Sequence, residues 1–518
     1  KSASAWKVTN SYSSAGIYDV KLVVTNSSGT RAELLRNDFI IAVPQIMYVS
    51  TNGAHIPPYD TWEKAATNLH STIPFQTDGL TVLVSNGVHS VKNILINHGV
   101  TIRSANGSPQ TTIFKAKDNT RAFQISHANA LLQDVTVRDG VAPINGGGIN
   151  LLGGTVKNCI IESNQAPYSS CGGGGIYAGG PCQIINCTIR NNYGMHYSGG
   201  IYLNHANAIV ENCTISNNSA YVWGGGVYLA NGLVRNSIIC KNWLTHDHPT
   251  YGGGGVFIGG GNLENCTIVD NFVDATTPGG GIRKDGGAIT NCIIYYNKKG
   301  SIYENLSSIL GVTFSCAPEL TSGTGNLTTE PEFADISSKD YRLWPFSPCI
   351  DSGTNIISVT NDFNGDIRPK DGNNDSIATH DMGALEAPAI NEDPFRCNFI
   401  ASTREGVIPL SVVFTSSVAG SSVAGTVYRW DFNNDGNFEN PPGITSSEVV
   451  TNIFSSPGVY TVRLVASNTV AGICTKIKSN YILAFANVLY ISQDGSHTPP
   501  FTNWTTAATN IASALYYA

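Results

Sequence analysis

The sequence predicts an all-β protein with an extended central solenoid and small β-sandwich domains around it. Glycine supplies 54 of the 518 residues and only 13% are charged, which favours short strands and tight turns over long helices. Between residues 145 and 300 a Gly-rich turn, an aliphatic residue and an Asn-Cys pair recur every 24 to 29 residues. From Pro394 to Phe485, alternating apolar and polar residues indicate strands separated by turns.

The charge balance excludes two classes of partner. The net charge is -7, from 30 basic and 37 acidic residues without a basic run, which argues against nucleic acid and anionic membranes. No apolar stretch reaches the roughly 18 residues that a bilayer span needs, so we expect no membrane span in this sequence.

A long repeat sets the domain organisation. Residues 8–73 match residues 450–515 at an offset of 442, with 25 identities in 66 positions and no gap. We therefore expect this sequence to be a window on a longer tandem array. The expected divisions are the last part of a sandwich (1–43), a solenoid with a helical cap and a closing segment (44–390), a complete sandwich (394–486) and the start of the next solenoid (487–518).

The shorter repeat predicts which residues face the solenoid core. In each coil a Cys or Ser lies two residues before an Ile, so both point to one face of a strand. Six isoleucines at this position predict a buried file: Ile161, Ile189, Ile215, Ile239, Ile268 and Ile294. The accompanying cysteines are expected to be buried free thiols: Cys159, Cys187, Cys213, Cys266 and Cys292.

Two files of asparagine accompany them, beginning at Asn158 and at Asn164. The first lies at a bend, where Asn tolerates a left-handed backbone and can hydrogen-bond the same residue of the next coil. The second file is expected to have the same structural role.

An outward aromatic file is the candidate functional surface. Tyr177, Tyr202, Tyr228 and Phe257 each follow an inward Ile or Val, so they should point outward and stack over four coils. Trp223 and Trp243 lie in the variable loops beside them. Such faces pack against sugar rings or another protein chain, although an ordinary stacking ladder would produce the same pattern.

The complete sandwich contains a candidate calcium loop. Asp431, Asn433, Asp435 and the backbone of Asn437 have the alternating spacing of calcium ligands, with Glu439 close by. Because Pro442 replaces the Glu expected at loop position twelve, a hairpin turn stabilised by Asx side chains is the alternative. Calcium is the one cofactor that the sequence suggests.

The same sandwich contains a candidate disulfide. Cys397 and Cys474 fall in the expected first and last strands, which are often neighbours, so a disulfide is one of two open possibilities.

Two family resemblances refine this picture. The strings YRWDFNNDG and SSPGVYTVRLVAS resemble the PKD domain, an immunoglobulin-like module that usually acts as a spacer in exported proteins. The Gly-Gly-Gly-Ile and Asn repeats resemble the right-handed parallel β-helix of the pectin-lyase-like superfamily, and also the repeats of polymorphic outer-membrane adhesins. The resemblances imply a right-handed parallel β-helix, PKD-like sandwiches and a secreted or cell-surface location of bacterial type.

The flanks of the solenoid carry further signals. TWEKAATNLHSTI has the pattern of an amphipathic helix that caps the open end. PEFADISSKDYRLWPFSPCIDSGTN and THDMGALE resemble the closing segment of exported β-helix proteins of the choice-of-anchor type.

Catalysis is not expected from the acidic residues. Lyases and hydrolases of this fold need clustered carboxylates, whereas residues 145–300 contain few acids, and no two of them share the same coil position in neighbouring coils. We therefore expect a structural fibre or adhesin without enzyme activity. Its partners would be other copies, neighbouring repeats or cell-surface glycans; the alternatives are a polysaccharide lyase or hydrolase and a glycan-binding module.

Overall fold

The computed structural model describes residues 7–168, 171–336, 338–373, 375–388, 395–420, 423–439, 445–486, 488, 490–497 and 503–509. The chain forms two compact units, Lys1–Lys370 with Ile377–Ala387, and Asp371–Ser376 with Pro388–Ala518. The expected boundary at 390–394 and half of the expected domain 487–518 lie outside the described residues.

The first unit is dominated by a parallel β-helix in which each coil adds one strand to three sheets. Sheet 1 contains Ile46–Val49, Thr81–Val84, Thr101–Ser104, Leu131–Gln133, Gly154–Lys157, Cys182–Ile185, Ile209–Glu211, Leu233–Arg235, Asn262–Glu264, Ala288–Thr290 and Val312–Thr313. Sheet 2 contains Gly87–Val91, Thr112–Ala116, Thr136–Arg138, Ile160–Glu162, Thr188–Arg190, Thr214–Ser216, Ile238–Cys240, Thr267–Val269 and Ile293–Tyr295. Sheet 3 contains Ile94–Ile96, Phe123–Ile125, Ile149–Leu151, Ile176–Ala178, Ile201–Leu203, Val227–Leu229, Val256–Ile258 and Ile282–Lys284.

A short fourth sheet lies in the chain between sheets 2 and 3. It contains Gln165–Ala166, Tyr193–Gly194, Ser219–Ala220, Trp243–Leu244, Phe272–Val273, Lys298–Lys299 and Ile302–Tyr303. Within the described residues eight coils have a strand in each of sheets 1, 2 and 3, and partial coils flank them.

The predicted inward files are confirmed. The six isoleucines of sheet 2 are fully buried and lie opposite one another in register. The cysteine file is buried and free. Each of these thiols donates to the carbonyl two residues earlier, as Cys159 does to Lys157 at 3.1 Å. The core is thus continuous from coil to coil, as stacking of repeats requires.

The two asparagine files have different roles. Asn158 and its equivalents adopt positive φ, 52° at Asn158, and turn the chain between sheets 1 and 2. The second file forms the inter-coil ladder. Asn164 Nδ2 donates to Asn192 Oδ1 at 3.0 Å, and the pattern continues through Asn218, Asn242, Asn271 and Asn297. Among the described residues the asparagines of the first file do not hydrogen-bond one another, so the expected ladder of like side chains is absent there. Asn158 Nδ2 instead donates to Asp134 Oδ1, at the equivalent position one coil earlier, at 3.0 Å.

The expected N-terminal helical cap is shorter than predicted. Only Leu69–Phe75 is helical, as a 3₁₀ helix that Asn68 caps by accepting the Ser71 N–H at 3.1 Å. The preceding residues instead extend the solenoid, because Ala66 bridges Val49 and exchanges backbone hydrogen bonds with Tyr48 and Ser50 at 2.9 Å. A helix over residues 61–68 would forfeit these bonds.

The closing segment covers part of sheet 2. It contains the antiparallel pair Phe333–Asp335 and Asp340–Leu343 and later turns. Its apolar residues pack with the outward side chains Ile238, Val269 and Ile293. Arg368 and Glu386 form a fully buried ion pair at 2.6 Å that holds the segment together.

The second unit contains a seven-stranded β-sandwich. One sheet has Arg396–Ala401, Leu410–Ala419 and Val449–Phe454; the other has Glu405–Val407, Gly472–Phe485, Gly458–Asn468 and Val427–Asp431. Trp430 is fully buried between Phe399 and Phe432.

The hairpin Gly16–Thr25 and Arg31–Ala42 repeats the last two strands of that sandwich. Gly16 pairs with Ala42 and Gly458 with Ala484, with the bulge at the same place in both pairs. Leu22 is 56% exposed in the hairpin, whereas its equivalent Leu464 is fully buried. Among the described residues, no helix is long and apolar enough to span a membrane.

Candidate functional site

The outward side chains of sheet 3 form one continuous file. Strand register places the following residues opposite one another in successive coils: Leu95, Gln124, Asn150, Tyr177, Tyr202, Tyr228, Phe257 and Arg283. Because neighbouring strands are about 4.8 Å apart, these side chains are at van der Waals distance along the solenoid. After Leu95 the side chains change from the amides of Gln124 and Asn150 to aromatic rings, and the last member is the cation Arg283.

Three tyrosines form the half-exposed part of the file. The rings of Tyr177 and Tyr202 lie 5.2 Å apart, and those of Tyr202 and Tyr228 lie 5.0 Å apart. Tyr197, from the preceding loop, stacks on Tyr202 at 5.0 Å and meets the edge of Tyr228 at 4.9 Å. Burial, followed by the neighbouring tyrosines, raises the pKa of Tyr202. The Tyr202 phenol therefore remains a neutral hydroxyl, able to donate and accept hydrogen bonds.

Phe257 and Trp223 complete the aromatic cluster but are partly covered. Phe257 stacks flat on Tyr228 at 4.8 Å and is only 5% exposed. Trp223 lies 4.6 Å from it, and the Arg283 guanidinium covers Trp223 at 4.9 Å. Phe257 thus stacks in the outward file as expected, but Trp223 and Arg283 already pack on its ring.

Arg283 secures this end of the cluster. Its guanidinium donates to the carbonyls of Thr250 and Tyr251 and to Asp285. It therefore acts as a clamp on a variable loop.

Trp243 does not join the other candidates. It belongs to the short fourth sheet, opposite Ser219 and Phe272, and is 38% exposed. Of the six aromatic candidates, Tyr177, Tyr202, Tyr228, Phe257 and Trp223 come together. Trp243 faces solvent from a different sheet.

Two glutamates of the coils form ion pairs with arginines of the next coil. Glu162 meets Arg190 at 2.8 Å, and Glu211 meets Arg235 at 2.8 Å, each one coil away. Arg235 also lies opposite Glu264 in register, between the two glutamates. Burial raises the pKa of Glu264, an effect that Arg235 opposes. These carboxylates connect coils along sheets 1 and 2, and the outward file of sheet 3 has no acid.

The candidate calcium loop of the sandwich brings three carboxylates together. Oxygens of Asp431, Asp435 and Glu439 lie within 4.8 Å of one another. Asp431 is fully buried and accepts the backbone N–H groups of Asp435 and Gly436 at 3.2 and 3.0 Å. Asp431 and Asp435 thus have the oxygen chemistry that calcium prefers.

The other candidate ligands of the loop, Asn433, Asn437 and Glu439, suit a calcium site and a turn equally. Asn433 accepts from Asp435 N and donates to Asp435 Oδ2, as an Asx turn requires. Burial raises the pKa of Glu439, and the nearby Asp431 and Asp435 raise it further. Asn437 donates its N–H to Asp435. The loop fits either a calcium site or a turn stabilised by its own side chains.

The two cysteines of the sandwich form a disulfide that joins its two sheets. The Cα atoms of Cys397 and Cys474 are 5.8 Å apart, within the range of a disulfide. The bond connects the first and last strands.

Two features of the site were not expected from local patterns. The central position of Tyr197 in the tyrosine cluster and the clamp by Arg283 both depend on how a loop folds over the next coil. The sequence hinted at them only through the clustering of His and aromatic residues in the variable loops. That clustering indicates an exposed surface but does not say how its side chains are arranged.

Family models match two parts of the chain. Residues 121–287 match the right handed beta helix region, and residues 400–478 match the PKD domain. The chain therefore combines a right-handed parallel β-helix with a PKD domain. No curated protein sequence matches it.

Several solved structures are distantly similar to this chain. The pectate lyase Pel9A is 13% identical with a TM-score of 0.45, covering 67% of this chain and 98% of its own. A pectin methylesterase from Aspergillus niger is 12% identical with a TM-score of 0.31, covering 52% and 91%. Pectin methylesterase PemA from Erwinia chrysanthemi is 11% identical with a TM-score of 0.27, covering 57% and 92%. These likenesses are too distant to transfer an activity to this chain.

Proposed function

We propose that this chain is part of an extracellular or cell-surface repeat protein that acts as a structural fibre or adhesin. The observation that carries the proposal is the recurrence of one local structure at an offset of 442 residues. Val49 bridges Ala66, and Ile491 bridges Ala508. The same backbone bond, 2.9 Å in both copies, joins Ser50 to Ala66 and Ser492 to Ala508.

The recurrence includes side chains as well as backbone. Tyr48 packs on Trp62 at 4.6 Å and Tyr490 on Trp504 at 5.0 Å. A protein that repeats a spacer, a junction and a solenoid cap gains length and many copies of one surface. Both properties suit a fibre or an adhesin.

The tyrosine surface, defined as Tyr177, Tyr197, Tyr202 and Tyr228, is the contact surface in this proposal. Its rings are half-buried and rigidly packed against one another. Rigid aromatic rings with a polar hydroxyl bind sugars or a neighbouring chain at low entropic cost. The pairing of Glu162 and Glu211 with arginines favours binding over turnover, because those carboxylates are committed to inter-coil ion pairs.

The experiment measures binding and turnover with the same purified 518-residue chain. Oligosaccharide panels and self-association by sedimentation test binding; release of reducing or unsaturated sugars tests turnover. We expect association or sugar binding that Tyr202→Ala reduces about tenfold, the effect of losing one aromatic anchor, without sugar release.

The matched control is Tyr303→Ala. Tyr303 is 61% exposed and belongs to the short fourth sheet, so its loss should not alter binding. Sugar release at rates typical of enzymes would overturn the proposal in favour of a polysaccharide lyase or hydrolase. Absence of both binding and association would also overturn it.

A further inference from the structure

A polar cleft lies at the non-aromatic end of the sheet 3 file. It has a volume of about 470 Å³, within the range of small-ligand sites. Its wall includes Gln124 and Asn150 of the file and Tyr177, where the tyrosine surface begins. Pro143 and Ile144 form an apolar edge, with Ile144 63% exposed.

Arg121 is the one charged residue that lines this cleft. It is only 8% exposed, and among the described residues its guanidinium has neither an ion pair nor a hydrogen bond. The buried thiol of Cys171 interacts with it electrostatically but donates to the Pro143 carbonyl at 3.1 Å. A buried cation without an anionic partner is costly. Arg368, the other buried arginine of this unit, is paired with Glu386 at 2.6 Å.

The surrounding amides are also free to bind. The side chains of Asn93, Asn119 and Gln124 line the cleft and make no hydrogen bond within the described part of the chain. Asn150 Oδ1 is buried and lacks a partner. Amide side chains can accept hydrogen bonds from hydroxyl groups and donate hydrogen bonds to them.

We infer that this cleft binds an acidic sugar, with its carboxylate or sulfate on Arg121 and its ring against Tyr177. A guanidinium binds an oxyanion through two parallel hydrogen bonds. The amides match the hydroxyls of a sugar, and a phenol ring packs against its apolar face. Because the lining contains no acidic residue, the anion binds directly, without a calcium bridge.

This inference rests on the proposed binding role of the solenoid and names a ligand class for it. The tyrosine surface at Tyr202 and Tyr228 and the cleft at Arg121 can be disabled separately. Acidic-sugar binding in Arg121→Gln tests the inference about the cleft. Neutral-sugar binding and association in Tyr202→Ala test the proposed function.

The test compares glucuronic acid, glucose 6-sulfate and glucose, which differ in the anionic group. Saturation-transfer NMR and titration with the full chain should show that at least one acidic sugar binds more tightly than glucose. Arg121→Gln should weaken the binding of that sugar about 10- to 100-fold, the effect of losing charge-assisted hydrogen bonds. The affinity of Arg121→Lys should lie between those of the wild type and Arg121→Gln, because lysine keeps the charge but cannot form two parallel hydrogen bonds.

The control is Arg190→Gln, which removes the same charge from sheet 2 and should leave acidic-sugar binding unchanged. Preference for glucuronic acid identifies a carboxylate ligand, and preference for the sulfate ester identifies a sulfated one. Equal binding of all three sugars, or unchanged binding in Arg121→Gln, would overturn the inference. The wild-type comparison of sugars decides the question even if a variant fails to fold.

Discussion

The imidazole Nδ1 of His55 accepts the backbone N–H of Thr67 at 3.0 Å. The Thr67 hydroxyl lies 2.9 Å from the same nitrogen. Their counterparts His497 and Thr509, 442 residues later, repeat both contacts at 3.0 and 2.8 Å. The pair ties the loop after sheet 1 to the edge of the cap in each copy.

Replacing His55 by alanine should loosen this tie. The Thr67 amide loses its acceptor, so its hydrogen exchange should rise about fivefold or more, the effect of one net hydrogen bond. His98→Ala is the control, because the one hydrogen bond of the His98 ring within the described residues is to the neighbouring Asn97 side chain. An unchanged Thr67 exchange rate would show that the backbone alone holds the cap.

The asparagine ladder should contribute much more to stability. Asn218 Oδ1 accepts from Asn192, and Asn218 Nδ2 donates to Ile189 O and to Asn242 Oδ1 at about 3 Å. Asn218→Ala leaves several buried partners unsatisfied and should lower the free energy of unfolding by about 3 kcal/mol or more.

Urea denaturation measures this change. Asn231→Ala is the control, since Asn231 is exposed and should change stability by no more than about 0.5 kcal/mol. Equal effects of the two substitutions would contradict a structural role for the ladder.

The buried thiols should be inert in the native chain. Burial raises the pKa of Cys159, Cys187 and Cys292 well above the ordinary value, and only the thiolate reacts. Mass spectrometry after iodoacetamide treatment should find them unlabelled until denaturant is added. Prompt labelling of the native protein would show that the coils open or that the file is exposed.

The closing segment should lose stability in mild acid. Burial, with a smaller contribution from Arg368, lowers the pKa of His380 from about 6.5 to about 4. Because the unfolded chain binds the proton first, stability is complete above about pH 6.5 and falls towards pH 4, by up to about 1.4 kcal/mol per pH unit. His380→Gln should remove this part of the slope in thermal unfolding curves; an unchanged slope would assign it elsewhere.

Calcium binding by the sandwich remains a prediction. If Asp431, Asp435 and Glu439 hold the ion, calcium should raise the unfolding temperature of the sandwich, as any ligand of the native state does. Asp431→Asn should abolish the rise, and Asp494→Asn, an exposed control, should not. Absence of a rise in the wild-type chain would leave the loop as an Asx turn.

Periodicity made the core of this protein predictable. One inward residue repeated in every coil, as with Ile161 and Ile189, identifies a shared face, and register then carries the assignment to the outward tyrosines. The 3₁₀ cap was not predictable in this way, because the bonds from Ala66 to sheet 1 compete with the helical pattern of its own segment.

The accessible surface was predictable only in part. That Phe257 is covered and Arg121 is unpaired depends on which loop folds over which coil. Loop length varies from coil to coil, and the inward repeat does not constrain it. Arg121 has no distinctive neighbour in the sequence; what distinguishes it is the absence of a carboxylate in the folded cleft.

The most direct test of the central claim follows one polysaccharide sample by NMR with the intact chain present. The claim that this protein works through its surface predicts reversible binding or association that Tyr202→Ala reduces, while the sugar's anomeric signals remain unchanged over long incubation. New reducing-end or unsaturated signals that grow in proportion to protein concentration would contradict it.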